Sequence, residues 1–237
     1  MSIAVAIMQP YIFPYFGYMQ LVEASDIFVF YDDVTFIKQG WVNRNRIIIN
    51  KAIYTFTIPL HEASSFKWIA HTQLKDIEHF KKKFIKQVSQ SYASAPGYAL
   101  GLEYIEAVLS GKPTSISDIS QKSVTLFFDL LGIEKQFLKS SDLPIAKPGQ
   151  FSAADRLIEI TKHLGGDIYL NPIGGVELYS KAYFASKGIQ LKFVSPELKP
   201  YRQGKGVEFI PSLSIIDVIM HLEPAEIRER LSDYQLK

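Results

Sequence analysis

The chain has 237 residues and a net charge of +2 at pH 7, with 47% hydrophobic and 21% charged residues. That length buries a full core as one large domain or one domain plus an appendage, and the balanced charge gives no bulk attraction to nucleic acid. There is no cysteine, which excludes disulfides, thiolate metal sites and a cysteine nucleophile, and fits a reducing compartment.

The start, Met1-Ser2-Ile3-Ala4-Val5-Ala6-Ile7-Met8, has neither the basic opening nor the small-residue cleavage site of a signal peptide. No apolar run approaches the ~20 residues needed to span a bilayer. A cytoplasmic location with no membrane span and no nucleic-acid partner is the expectation.

In chain order, residues 3–8 read as a short buried strand. Gln9-Pro10-Tyr11-Ile12-Phe13-Pro14-Tyr15-Phe16-Gly17-Tyr18 follows; its prolines lack the amide donor and fix φ, so neither strand nor helix continues through them. A short helix is expected over 17–25 and a strand over 27–31. Strands over 46–49 and 54–58 form a hairpin around Asn50-Lys51-Ala52. Helices are predicted over 76–91, 98–109 and 117–131, the first with Ile77, Phe80, Phe84, Ile85 and Val88 on one face. A strand over 137–140, a loop over 142–150 and a helix over 153–164 come next. Strands over 167–170 and 190–194 flank a helix over 178–187, a β-α-β arrangement that favours a parallel sheet. The fold class is therefore α/β, a mostly parallel sheet with flanking helices. One domain over 1–237 is expected, with a helical insertion at about 76–131.

Two stretches carry most of the polar chemistry. The first is the Pro- and aromatic-rich turn, with Gln9, Tyr11, Tyr15 and Tyr18 at a strand's end, where ligands commonly sit in α/β folds. The second is Tyr31-Asp32-Asp33-Val34-Thr35-Phe36-Ile37-Lys38-Gln39-Gly40-Trp41-Val42-Asn43-Arg44-Asn45-Arg46. Asp32 and Asp33 close an apolar strand, where carboxylates bind a metal, act as a base or hold a sugar hydroxyl. The plainer alternative has one capping a turn and the other solvated. Strand alternation puts Asn43 and Asn45 on one face and Arg44 and Arg46 on the other. Arginine forks suit phosphate or carboxylate, so Arg44 or Arg46 is a ligand contact and the other is structural.

Elsewhere the signals are weaker. No His-x-x-x-His spacing occurs, no resident metal is expected and no cofactor is identified. Gly174 and Gly175 sit between a strand and a helix, where paired glycines let backbone amides approach an anion or simply allow a turn. In Phe209-Ile210-Pro211-Ser212-Leu213-Ser214-Ile215-Ile216-Asp217, Ser212 is the candidate N-cap of a helix.

These stretches resemble the WbqC-like family, whose members accompany genes for bacterial O-antigen and other surface polysaccharides. The likeness lies in Gln9-Pro10, Pro14-Tyr15 and Gly17-Tyr18, in the Tyr31-Asp32-Asp33-Val34 block through Asn43-Arg44-Asn45, and in Asp167-Ile168-Tyr169, Gly174-Gly175, Tyr179 and the 209–217 motif. Thr35 stands where many relatives are expected to carry glutamine. The strand, turn and helix at the start are similar, as a fold analogy, to nucleotidyltransferase-like enzymes such as pantothenate synthetase. Their histidine signature is absent, with Tyr15 and Tyr18 in its place.

The resemblance implies a place in surface-polysaccharide (O-antigen) biosynthesis; the residue types add the expectation of an enzyme, a transferase that passes an acyl or aminoacyl group to the amine of a nucleotide-linked amino sugar. Its partners would be that nucleotide sugar and an acyl carrier protein or other acyl donor. Arg44 or Arg46 would grip the diphosphate, while Trp41 and Tyr11, Tyr15 and Tyr18 stack on base or sugar. Asp32 or Asp33 would take a proton or orient a hydroxyl, with Gln9 and Asn43 positioning the carbonyl. One alternative is a glycosyl- or nucleotidyl-transferase holding Mg²⁺ on Asp32 and Asp33. Another is a non-catalytic protein that binds a carrier-linked sugar or a partner enzyme.

Overall fold

A computed structural model describes residues 2–145, 149 and 151–237; the loop read over 142–150 lies partly outside them. The framework is a six-stranded sheet built from β1 (Ala4–Met8), β2 (Ile27–Phe30), β5 (Gln136–Lys139), β6 (Ile168–Pro172), β7 (Gln190–Pro196) and β8 (Tyr234–Leu236). The spatial order is β5-β2-β1-β6-β7-β8. All neighbours are parallel except the last pair, β7 with β8. The chain runs outward from β1 through β2 to β5, then crosses back to place β6 on the other side of β1. The order therefore reverses between β1 and β6, and such a switch leaves a crevice beyond the carboxyl ends of the two strands.

Period-two alternation divides the apolar side chains between two cores. Val5, Ile7, Ile27, Val29, Tyr169, Leu191 and Phe193 face α5 (Ala153–His163), meeting Leu157, Ile158 and Ile160. Ala6, Phe28, Phe30, Leu170 and Val194 face the other way, towards α1 (Phe16–Ala24), α4 (Ile116–Leu130) and α7 (Ile215–His221). Strands covered on both sides read as unbroken apolar runs, which is how β1 and β2 are recognisable in sequence. Helices α2 (Ile77–Tyr92), α3 (Tyr98–Val108) and α4 fill the middle of the chain and share this larger core. Ser115 caps α4 with a full capping box closed by Asp118.

A second sheet is the antiparallel hairpin of β3 (Arg44–Ile49) and β4 (Ala52–Thr57). Asn50 and Lys51 both have positive φ, 52° and 63°, as a tight hairpin turn whose twist matches its strands requires.

Three expectations are corrected. The helix read over 178–187 is only α6 (Lys181–Ser186), because Ile173–Gly175 forms a one-turn 3-10 helix first. Gly174 and Gly175 therefore precede no long helix whose dipole could serve them. Ser212 has φ of 57° and caps nothing; Ser214 caps α7 by accepting from the Ile216 amide. The C-terminal α8 (Pro224–Arg230) and strand β8 were not anticipated, although Pro224 at a first helical position is a recognisable start signal. Among the described residues no helix is long and apolar enough to cross a membrane.

Candidate functional site

The Pro- and aromatic-rich turn after β1 is locked by side chains from three distant elements. Phe13 is fully buried with φ of 44°, a left-handed conformation that an aromatic residue holds only when its surroundings over-determine it. Its amide donates to Ser123 Oγ at 3.1 Å, and its carbonyl accepts from Asn45 Nδ2 at 2.7 Å and Ser214 Oγ at 2.9 Å. Ile215 N donates to Pro14 O at 2.8 Å, joining α7 to the same turn. Ser214, from the 209–217 motif, thus serves as a latch as well as a cap.

The alternation expected along β3 is present. Asn45 is buried under the turn, while Arg44 and Arg46 both reach the Trp41 ring, at 5.5 and 5.4 Å from its centroid. Their roles differ. Arg44 donates Nε to Gly40 O at 2.8 Å and Nη2 to Gln39 O, so it is occupied in shaping the Trp41 loop. Arg46 donates Nη2 to Ser212 O at 3.2 Å, but its buried Nε has no hydrogen-bond partner among the described residues. Tyr11, Tyr15, Trp41 and Arg46 line one cavity of about 320 Å³ with Pro196 and Ser212. Burial raises the phenol pKa of Tyr11 and of Tyr15, keeping both neutral. Gly17 belongs here for space: a Cβ on it would lie 2.4 Å from the Tyr15 ring.

A second cavity, of about 340 Å³, occupies the crevice at the switch between β1 and β6. Gln9, Tyr31, Asn171, Gly174, Gly175 and Tyr179 line it. Gln9 is held by its carbonyl, which accepts from the buried Tyr18 hydroxyl at 2.9 Å. Tyr18 is therefore a support beneath the turn rather than part of either cavity's lining. Gly175 makes room for Asn171, whose amide Nδ2 would be 2.2 Å from any Cβ at that position. Asn171 is 6% exposed, and its buried Nδ2 has no partner among the described residues.

Asp32 and Asp33 lie behind these cavities, 2% and 0% exposed. Asp32 accepts from the Ser141 amide and hydroxyl, both at 3.1 Å, with Ser117 Oγ and Ser140 Oγ at 3.4 and 3.3 Å. Asp33 accepts from Ser140 Oγ and from Arg156 Nη2, both at 2.6 Å. The Arg156 guanidinium also sits 4.8 Å over the Tyr31 ring at the crevice wall. The positive charge that a divalent cation would bring to Asp33 is here brought by Arg156. Neither carboxylate lines the two cavities. Asn43 donates Nδ2 to Ile58 O at 2.9 Å, tying the end of the hairpin.

Residues proposed from sequence for one site are thus divided between the Trp41–Arg46 cavity, the β1/β6 crevice and a buried acidic joint. All three depend on segments at the carboxyl end of the parallel strands, and all draw on the conspicuous sequence motifs. Those motifs are a family's signature: the WbqC-like protein family matches residues 9–229. The chain belongs to this family. It is also similar, at 23% identity over 220 residues, to the uncharacterized protein Rv1507c of Mycobacterium tuberculosis (strain ATCC 25618 / H37Rv), covering 92% of this chain and 93% of that one.

In this WbqC-like protein, several residues of the site escaped the sequence reading. Asn171 is the penultimate residue of β6 and, like Gln9, is an amide directly before a proline near a strand's end, which is a usable signal. Arg156 gave none, because an arginine on an amphipathic helix normally faces water. A further polar cluster lies on α7: Asp217 is fully buried and accepts from Tyr92 at 2.8 Å and Tyr201 at 2.7 Å. His221 Nδ1 lies 2.8 Å from Asp217 O and 3.7 Å from its carboxylate. Burial pulls the imidazole pKa down, but the hydrogen bonding and charge of Asp217 outweigh it and leave it raised.

Proposed function

We propose that this protein binds a nucleotide-linked amino sugar at the carboxyl edge of its parallel sheet and transfers an acyl or aminoacyl group to the sugar's amine, as a cytoplasmic step in bacterial surface-polysaccharide synthesis. The observation that carries the reading is the Arg46 guanidinium, with its buried Nε unpartnered, beside Trp41, Tyr11 and Tyr15 in one cavity. A diphosphate is the ligand group that best satisfies a desolvated guanidinium, through paired charge-assisted hydrogen bonds. An indole and two neutral phenols give flat surfaces for a base or sugar ring.

The division of labour among the other residues follows from where each sits. Gln9 reaches the crevice and positions the reacting group. Arg44 and Asn43 brace the Trp41 loop. Asp32 and Asp33 contribute as positioning residues: Asp33 fixes Arg156, and Arg156 fixes Tyr31 at the crevice wall. The amine reacts uncharged, and the two cavities hold no carboxylate to keep it protonated. The acyl donor, a carrier protein thioester or similar, approaches from the solvent side of the sheet edge.

The test is a thermal-shift panel of nucleotide-linked sugars, their free sugars and nucleoside diphosphates. A ligand that binds only the folded state raises Tm progressively with its concentration. The expected result is stabilisation by nucleotide sugars and by the nucleoside diphosphate, with none from the free sugar. No shift with any nucleotide at millimolar concentration overturns the reading.

A further inference from the structure

We propose that the crevice between the ends of β1 and β6 is an acyl site, taking an uncharged acyl group whose carbonyl oxygen accepts a hydrogen bond from Asn171. This rests on the transfer reading above and names the second substrate's place in it. Three observations carry it. Asn171 is 94% withdrawn from solvent, being 6% exposed, yet its Nδ2 donor has no partner among the described residues. An unmade hydrogen bond at a buried amide is destabilising, so the fold tolerates a defect that a ligand acceptor repairs. Gly175 preserves the defect, since a side chain there would collide with the amide at 2.2 Å.

The lining chooses the kind of acceptor. Besides the two amides of Gln9 and Asn171, the crevice presents Ile7, Met8, Leu157 and three tyrosines, with neither a cationic nor an acidic side chain lining it among the described residues. Burying an unpaired anion in such a space is strongly unfavourable, so phosphate and carboxylate belong in the Arg46 cavity and not here. Burial raises the phenol pKa of Tyr31, Tyr169 and Tyr179, so the rings stay neutral. Arg156, stacked on the Tyr31 ring and interacting with its hydroxyl, is paired with Asp33. A neutral apolar chain bearing one carbonyl satisfies the whole lining, and a volume of about 340 Å³ accommodates a small acyl group.

The chemistry balances with a thioester donor. The sugar's amine nitrogen attacks the acyl carbon, a C–N bond forms and the carbonyl π pair moves onto oxygen. Asn171 Nδ2–H and the Gln9 amide donate to that oxyanion. The pair then returns, the C–S bond breaks, and the departing thiolate takes the proton lost from nitrogen. The products are an amide and a thiol.

The probe is an acyl thioester of N-acetylcysteamine, which carries no phosphate, added to the intact chain. Proton–nitrogen NMR follows the Asn171 side-chain amide, assigned by its disappearance in Asn171→Leu. The expected result is a shift of that resonance by the thioester but not by the matching thioether, which lacks the acyl carbonyl. Asn171→Ala and Gly175→Ala should each weaken thioester binding at least tenfold while the nucleotide-dependent Tm shift persists. An unmoved Asn171 resonance at millimolar thioester overturns the acyl site, even if nucleotide sugars bind. Conversely, a shifted Asn171 with no nucleotide binding sustains the carbonyl site and removes the nucleotide-sugar reading instead.

Discussion

The Arg156 guanidinium meets the Asp33 carboxylate at 2.6 Å across 123 residues of sequence, with both side chains almost wholly buried, 2% and 0% exposed. Removing one member breaks a buried charge pair, which costs about 3–5 kcal/mol. Asp33→Ala should therefore lower the unfolding free energy by about that amount in urea titrations followed by circular dichroism. It should also disturb Tyr31, on whose ring Arg156 rests. A loss under about 1 kcal/mol would mean that the pair is dispensable.

The turn after β1 depends on Asn45, which donates Nδ2 to Ile12 O at 3.3 Å and to Phe13 O at 2.7 Å. Asn45→Ala removes the donor from buried carbonyls and should cost about 1–3 kcal/mol. It should also release Phe13 from its positive φ. Faster amide exchange at Tyr11, Ile12, Phe13 and Tyr15 than elsewhere in the variant checks the local effect, and uniform exchange would show that Phe13 is held by its other partners.

His221 should make stability depend on pH. Its folded pKa is raised, with Asp217 as the favourable partner, despite the opposing effect of burial. A group whose folded pKa lies above its unfolded value, about 6.5 for histidine, stabilises fully below that unfolded value and progressively less as pH rises through the folded one. Tm should therefore contain a component that falls as pH increases above about 6.5. His221→Gln should remove it, and an identical pH profile in the variant would assign the dependence to other groups.

Arg46 and Arg44 should respond differently to conservative change. Lysine keeps the charge but loses the planar fork, so Arg46→Lys should weaken nucleotide-sugar binding at least about tenfold, or ~1.4 kcal/mol. Arg44 is engaged with Gly40 and Gln39, so Arg44→Lys should chiefly lower stability of the Trp41 loop and change affinity less. Isothermal titration of both variants separates the two, and equal losses would contradict the division of roles.

What was legible in the sequence follows from the range of the interactions involved. The apolar runs of β1 and β2, the face of α2 and the β3–β4 hairpin are local patterns and are visible as such. The alternation that sets Arg46 against Asn45 is equally local. The fate of Asp32 and Asp33 was not legible, because it depends on Ser140, Ser141 and Arg156, which reach the strand end only once β5 and α5 are docked. Ser212 and Ser214 differ as caps through backbone geometry imposed by contacts with the turn and with Arg46, not through residue type. Gly174 and Gly175 announced a turn, but only the approach of Asn171 to Gly175 reveals what the small residue there permits.

The proposed function places a nucleotide-linked sugar at the carboxyl edge of the sheet with its diphosphate on Arg46. A crystal structure of the protein with a bound nucleotide-linked amino sugar tests it most directly. The expected complex has diphosphate oxygens within hydrogen-bonding distance of the Arg46 guanidinium, an aromatic contact with Trp41, and the sugar amine directed towards the crevice of Gln9 and Asn171. A nucleotide seated elsewhere, for instance beside Arg202, Lys205 and His221, which line a separate cavity of about 340 Å³, would contradict it.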